Sequence, residues 1–204
     1  MPEKPFFVTG IGTGIGKTIV SAVLVEKLNA DYWKPVQSGD LDNSDTLKVK
    51  SLVSNYKTVF HPETYRLTQP YSPHKSAAID GVEIDLANFK IPETENQLII
   101  EGAGGLMVPL NDRYLIIDLI KQLGVEVILV SQNYLGSINH TLLSIEALKQ
   151  RQIPVKGIIF NGEANENSES YILEYSGIKL LGKIPEFGDI DKNAIKNAGV
   201  YLFL

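Results

Sequence analysis

The amino-acid sequence predicts an α/β fold, a mostly parallel sheet with helices on both faces. Three observations lead there: short β-branched apolar runs recur along the chain, they are continuous rather than alternating, and longer segments with helical spacing lie between them. Continuous runs suit strands covered on both faces. Strands alternating with helices imply βαβ crossovers and hence a parallel sheet.

Taken in order, the runs are Phe6-Phe7-Val8, the stretch around Tyr32-Trp33, Leu98-Ile99-Ile100, Val127-Ile128-Leu129-Val130, Ile158-Ile159-Phe160 and Leu180-Leu181. Behind the first run, Ile19, Val23, Leu24 and Leu28 recur at helical spacing and predict one apolar face. Asn43-Ser44-Asp45 predicts the capped start of a helix carrying Leu47 and Leu52. Leu142, Ile145 and Leu148 predict another helix, ending near Arg151 ahead of Pro154. From roughly Thr58 to Glu95 the chain is interrupted by Pro62, Pro70, Pro73 and Pro92, which predicts irregular loops facing a substrate. With no repeat, low-complexity tract or linker in its 204 residues, the chain is expected to form one domain spanning 1–204.

Composition narrows the function classes. The apolar content of 44% and charged content of 21% give an ordinary globular balance with enough material for a core. A net charge of −5 argues against broad attraction to nucleic acid or anionic lipid. With no cysteine, disulfides, thiolate nucleophiles and cysteine metal sites are excluded, which fits a cytoplasmic protein. His61, His74 and His140 are too scattered to suggest a zinc site by spacing. Met1-Pro2-Glu3-Lys4-Pro5 runs straight into the first strand, and no stretch is apolar enough for a signal peptide or a bilayer span. The expectation is a soluble protein with no membrane and no nucleic-acid partner.

The most informative segment follows the first strand: Thr9-Gly10-Ile11-Gly12-Thr13-Gly14-Ile15-Gly16-Lys17-Thr18, leading into a helix. Successive N–H groups of such a loop converge on phosphate oxygens, glycine permits the close approach, and the helix N-terminus adds its positive dipole end. Lys17 can bridge the β and γ phosphates, and the Thr18 hydroxyl can ligate magnesium. The usual spacing would put the first glycine at Ile11; Gly10 supplies it one place early, so the loop is a lengthened variant. The class is therefore α/β of the P-loop NTPase type, and a nucleoside triphosphate is expected to be held by Thr13, Gly14, Ile15, Gly16, Lys17, Thr18 and Ile19.

In open parallel sheets ligands sit beyond the carboxyl ends of the strands. The second strand ends in Lys34-Pro35-Val36-Gln37-Ser38-Gly39, where Lys34 fits an anion contact or, equally, a surface lysine covering apolar neighbours. Asp45, taken alone, fits a helix-start acid favoured by the dipole. Glu101-Gly102-Ala103-Gly104-Gly105 fits a second magnesium contact, with glycines that admit a ligand, or a tight turn. Leu135-Gly136-Ser137-Ile138-Asn139-His140 begins a helix whose N-terminus could hold a carboxylate. Asn161-Gly162 and Ile184-Pro185 could border a purine or be plain turns.

Together these blocks, with Ser72-Pro73-His74, resemble the dethiobiotin synthase family of P-loop enzymes, in the family's order and over most of the chain. The P-loop alone is unspecific; the lysine-proline, glutamate-glycine and asparagine-histidine blocks carry the resemblance. It implies a magnesium- and ATP-dependent reaction in which 7,8-diaminopelargonate takes up CO2 as a carbamate, is phosphorylated, and closes to the ureido ring of dethiobiotin. By resemblance, Lys34 and Lys17 are catalytic, and Thr18, Asp45 and Glu101 form the magnesium shell. Gly102, Ala103 and Gly104 join the nucleotide site, while Asn161, Gly162 and Pro185 border adenine. Ser38 and Gly104 contact the substrate, and Ser137, Ile138 and Asn139 bind its carboxylate tail across a homodimer interface. The chain departs from the family at Gly12 and Gly14, where acidic or amide residues are common, and matches it poorly after Pro185. ParA/MinD-like ATPase switches carry an extra lysine where this chain has Gly12, and an amidotransferase of the cobyrinate kind would need a cysteine.

Overall fold

The computed structural model describes residues 4–204; Met1-Pro2-Glu3, the expected lead-in to the first strand, lie outside them. β1 (Phe6–Gly10) leads through the glycine-rich turn into α1 (Lys17–Leu28). There follow β2 (Asp31–Trp33), β3 (Val36–Ser38) and α2 (Asp45–Leu52), then β4 (Phe60–His61), β5 (Tyr65–Leu67) and α3 (Pro73–Asp80). The second half alternates regularly. It runs β6 (Leu98–Gly105), α4 (Ile116–Leu123), β7 (Glu126–Ser131), α5 (Ser137–Gln150), β8 (Val155–Asn161), α6 (Glu166–Ser176), β9 (Leu180–Ile184) and α7 (Lys192–Ala198).

Seven strands form one sheet in the order β4-β2-β6-β1-β7-β8-β9, and every neighbouring pair is parallel. The chain builds outward through β2 and β4, returns to lay β6 beside β1, and then builds the other half through β7, β8 and β9. The carboxyl end of β1 thus stands between two halves running in opposite directions, the position where such sheets bind ligands.

Side-chain alternation along each strand divides the core. Phe7, Trp33, Ile100 and Val127 point to the face covered by α3 and α4, where Ala77, Ile116 and Ile120 meet them. Val8, Tyr32, Ile99 and Ile128 point to the opposite face, under Val23 and Leu24 of α1, Val49 of α2 and Ile195 of α7. Leu129, Ile158 and Phe160 pack on Ile145 of α5 and Ile172 of α6. The expected strands are all present. The single apolar face expected of α1 is corrected: Ser21, Ala22 and Val25 are buried along with Val23 and Leu24, because α2 and α7 cover the helix's outer side, while Ile19 is only partly buried.

The stretch expected to be irregular is more ordered than its prolines suggest. β4 extends the main sheet, β5 pairs with β3 in a separate two-stranded sheet, and Pro73 begins α3 at its first turn, where a missing N–H costs nothing. Strands of two or three residues are too short for periodicity to reveal. Among the described residues no helix is long and apolar enough to cross a membrane.

Candidate functional site

The phosphate loop owes its shape to two close approaches. A Cβ on Gly10 would lie 2.3 Å from Ile15 Cδ1, and one on Gly16 would lie 2.1 Å from Asn161 Nδ2. Gly16 also takes φ 86°, a left-handed angle that glycine adopts at little cost. Within the lengthened loop, buried Ile15 folds back on Gly10. Lys17 curls over the loop, its Nζ donating to Gly12 O at 2.8 Å.

Beyond the loop a cavity of about 650 Å³ opens at the carboxyl ends of β1, β2 and β6, lined among others by Lys17, Thr18, Lys34, Ser38, Asp45 and Glu101. Parallel pairing of β2 with β6, Trp33 opposite Ile100, sets Lys34 beside Glu101. Lys34 Nζ lies 2.6 Å from Asp45 Oδ2 and 3.2 Å from Glu101 Oε1, and donates to Gly102 O at 3.2 Å. Thr18 Oγ1 donates to Glu101 Oε1 at 2.9 Å and the Tyr32 hydroxyl to Oε2, also at 2.9 Å. Asp45 opens α2 behind its Ser44 cap, and its own N–H donates to Gln37 Oε1 at 3.1 Å, so helix start and strand end are tied together. Asp45 is thus a helix-start residue that also faces the cavity.

Electrostatics follow from burial against pairing. Burial would lower Lys34, but Glu101 and Asp45 outweigh it and hold the ammonium above its usual value. Burial would raise Asp45, yet Lys34 holds its carboxyl below the usual range. Lys17 is brought down to about 8, chiefly by burial, with the Lys34 cation adding to the shift and Glu101 and Asp45 opposing it. Burial, then the Glu101 and Asp45 charges, push the Tyr32 phenol well above its usual value, so it stays a hydrogen-bond donor.

Thr13, Gly14, Gly16, Ala103 and Gly104 also line this cavity; Ile15 and Gly102 do not, Gly102 meeting the site only as the carbonyl that accepts from Lys34. Gly104 has φ 65°, and a Cβ there would meet Val108 Cγ2 at 2.7 Å. Ser38 Oγ is buried without a hydrogen-bond partner, an orphaned hydroxyl on a cavity-lining residue. Asn161 stands at the loop's other flank, donating to Ile15 O at 3.1 Å. Gly162 N donates to Ile184 O at 2.9 Å, which sets it beside Pro185. Ile19 lies partly buried in the first turn of α1. Ser137, Ile138 and Asn139 begin α5 behind β7 and do not line the cavity of their own chain. Sequence reasoning missed Tyr32 and Gln37. Tyr32 precedes Lys34 by two residues and so shares its face, a signal that period-two alternation carries.

Thr18, Asp45 and Glu101 supply hard oxygens beside the phosphate loop, the donor chemistry magnesium takes with phosphates and waters completing its shell. Among the described residues there is no group of three or more histidines and carboxylates placed to hold a metal ion.

The chain matches the family model described as an AAA domain over residues 4–194. It is 54% identical to the ATP-dependent dethiobiotin synthetase of Christiangramia forsetii, over 95% of this chain and 93% of that one. It is 51% identical to the enzyme of the same name from Cytophaga hutchinsonii, over 98% and 97% of the two chains. Among solved structures it is similar to the septum site-determining protein MinD of Pyrococcus horikoshii complexed with Mg-ADP, with a TM-score of 0.64, 16% identity, and 97% of this chain and 86% of that one covered. It is also similar to a ParA family ATPase of Chlorobium tepidum, with a TM-score of 0.58, 12% identity, and 98% and 100% covered. At such identities the structural likeness shows the fold alone, whereas the relatives' identity over nearly the whole chain shows the family. The chain belongs to the ATP-dependent dethiobiotin synthetase family.

Proposed function

We propose that this chain is a magnesium- and ATP-dependent dethiobiotin synthetase whose catalytic centre is the cavity between the phosphate loop and Lys34. One observation carries the reading: a buried lysine, held by Asp45 and Glu101, shares a single cavity with Lys17 and Thr18 of the loop. ATP is the co-substrate, and the family relationship makes the organic substrate 7,8-diaminopelargonate with CO2.

The residues suit the chemistry in sequence. One amine of the substrate adds to CO2 and loses a proton, giving a carbamate. A carbamate oxygen attacks the γ-phosphorus; the new P–O bond forms as the bond to ADP breaks. The second amine attacks the carbonyl carbon, loses a proton, closes the ureido ring and expels phosphate. Lys34 binds the carbamate and offsets charge as the phosphoryl group moves, and Lys17 does so on the nucleotide side. Thr18, Asp45 and Glu101 would hold magnesium, which supplies charge neutralisation at the phosphates. Ser38 donates to the substrate, consistent with its orphaned hydroxyl. Asn161, Gly162 and Pro185 border the adenine.

The working unit is one domain over 1–204 acting as a cytoplasmic homodimer, in which Ser137, Ile138 and Asn139 complete the cavity of a second copy. Their position outside their own cavity supports this, as does the full exposure of neighbouring Leu135.

The test is ADP release by the purified protein with magnesium, ATP and bicarbonate, with and without the diamine. Diamine-dependent release with dethiobiotin detected by mass spectrometry is the expected result. Release indifferent to the diamine would return an ATPase switch to the front, and no release would leave a silent nucleotide-binding module.

A further inference from the structure

We infer that Tyr32 is a positioning residue for the proposed magnesium site, its hydroxyl orienting the Glu101 carboxylate so that the other oxygen meets Thr18 at the phosphate loop. The inference rests on the reading of Glu101 given above and adds a residue that neither the loop nor the family blocks single out.

The geometry is specific. Tyr32 is fully buried at the middle of β2, with its ring packed 6.0 Å from that of Phe60 on the edge strand. Tyr32 stands opposite Ile99 in the β2–β6 register, so Glu101 lies two residues further along the same face, within reach of a phenol but not of a shorter side chain. The two carboxylate oxygens divide their partners. Oε1 accepts from Thr18 at 2.9 Å and Lys34 at 3.2 Å, both of which line the cavity. Oε2 accepts from Tyr32 alone among the described residues. Glu101 is itself only 1% exposed, so water is poorly placed to substitute for the hydroxyl. Without that donor, Oε2 becomes a buried unpaired acceptor and the carboxylate gains freedom to rotate away from the loop. Partners of this outer kind orient metal-ligating carboxylates and lose metal affinity when removed.

Tyr32→Phe deletes the hydroxyl and keeps the ring in the core. The readout is the affinity of a non-hydrolysable ATP analogue by titration calorimetry, in magnesium and in EDTA, with no turnover involved. The expected result is a magnesium-to-EDTA affinity ratio reduced about tenfold, at the low end for loss of such a partner, with EDTA affinity close to wild type and a melting temperature lowered by roughly 2–12 °C for the unpaired buried oxygen. An unchanged ratio overturns the inference, and so does an equal loss in both conditions, the mark of a merely structural role. Glu101→Gln separates the two levels. If it collapses the ratio while Tyr32→Phe leaves it intact, the Tyr32 inference alone falls. If it too leaves the ratio intact, the assignment of Glu101 to magnesium falls, and the inference with it.

Discussion

Deleting the Lys34 ammonium probes the central charge arrangement. Lys34 is 3% exposed, and its Nζ lies 2.6 Å from Asp45 and 3.2 Å from Glu101. In Lys34→Ala both carboxylates lose their cation while Glu101 stays buried. Removing one partner of a buried ion pair costs about 3–5 kcal/mol. For a chain of this size, at about 2–4 °C per kcal/mol, that lowers the melting temperature by roughly 6–20 °C. The loss depends on pH, and Asp45 sets its sign. In the wild type Lys34 holds Asp45 below its unfolded value, so its contribution is present above that value and is lost as pH falls through the folded one. Without Lys34 the burial remains and only the smaller Lys48 and Lys17 effects oppose it, so the folded value rises and less of that contribution survives. The stability gap between the two proteins is therefore smallest in acid, where Asp45 is protonated in both, and widens as pH rises through about 4. Thermal melts in EDTA, without nucleotide, between about pH 3 and 7 read it directly. A gap that is constant with pH, or a variant as stable as wild type, would refute the reasoning. The same variant should bind an ATP analogue nearly normally while kcat falls by about 10²–10³. Collapse of analogue affinity would instead assign Lys34 to the nucleotide.

Three further outcomes are expected. Lys17→Ala removes the phosphate-bridging charge and should abolish turnover; near-normal ADP release would sink the phosphate-loop assignment. Gly16→Ala places a Cβ 2.1 Å from Asn161 Nδ2 at a left-handed φ whose strain alone is about 1–2 kcal/mol. It should weaken ATP-analogue binding by about tenfold or more in calorimetry, and unchanged affinity would show that the loop tolerates the side chain. Asp31, at the start of β2, accepts from Val59 N, Thr94 Oγ1 and Asn96 Nδ2, tying the edge of the sheet to the loop before β6. Burial would raise its carboxyl, but these hydrogen bonds hold it below the usual value, so its stabilisation exists above its unfolded pKa and disappears as pH falls through the folded one. Asp31→Asn should cost about 1–3 kcal/mol near pH 7 and far less at acid pH. Equal urea midpoints for the two proteins at pH 7 would remove Asp31 from that role.

The legible parts of the site were those encoded over short distances. Strand, glycine turn and helix of the phosphate loop are adjacent in the chain, and Gly-Lys-Thr needs only local backbone geometry to become an anion cradle. Lys34 and Glu101 were visible as polar residues following apolar strands, but each fitted a surface reading as well as a site. What decided between those readings was β6 lying between β2 and β1, which buries Lys34 against Glu101. Asp45 was ambiguous for a similar reason, since cap chemistry is local and its pairing with Lys34 is not. In the middle region the expected loop is present where Pro70, Tyr71, Ser72 and Pro73 line the cavity, but Pro73 also starts a helix, and β4 and β5 are held by partners distant in sequence.

The sequence by itself determined the class of fold, the phosphate loop and the family, because apolar runs, helical spacing and short motifs are properties of neighbouring residues. Tertiary structure alone decided the strand order, the division of Glu101's oxygens between Thr18 and Tyr32, and the absence of Ser137–Asn139 from their own chain's cavity. Those features depend on which strands pair and in what register. Pairing is chosen by burying both faces of the whole sheet at once, and no local stretch of chain carries that balance.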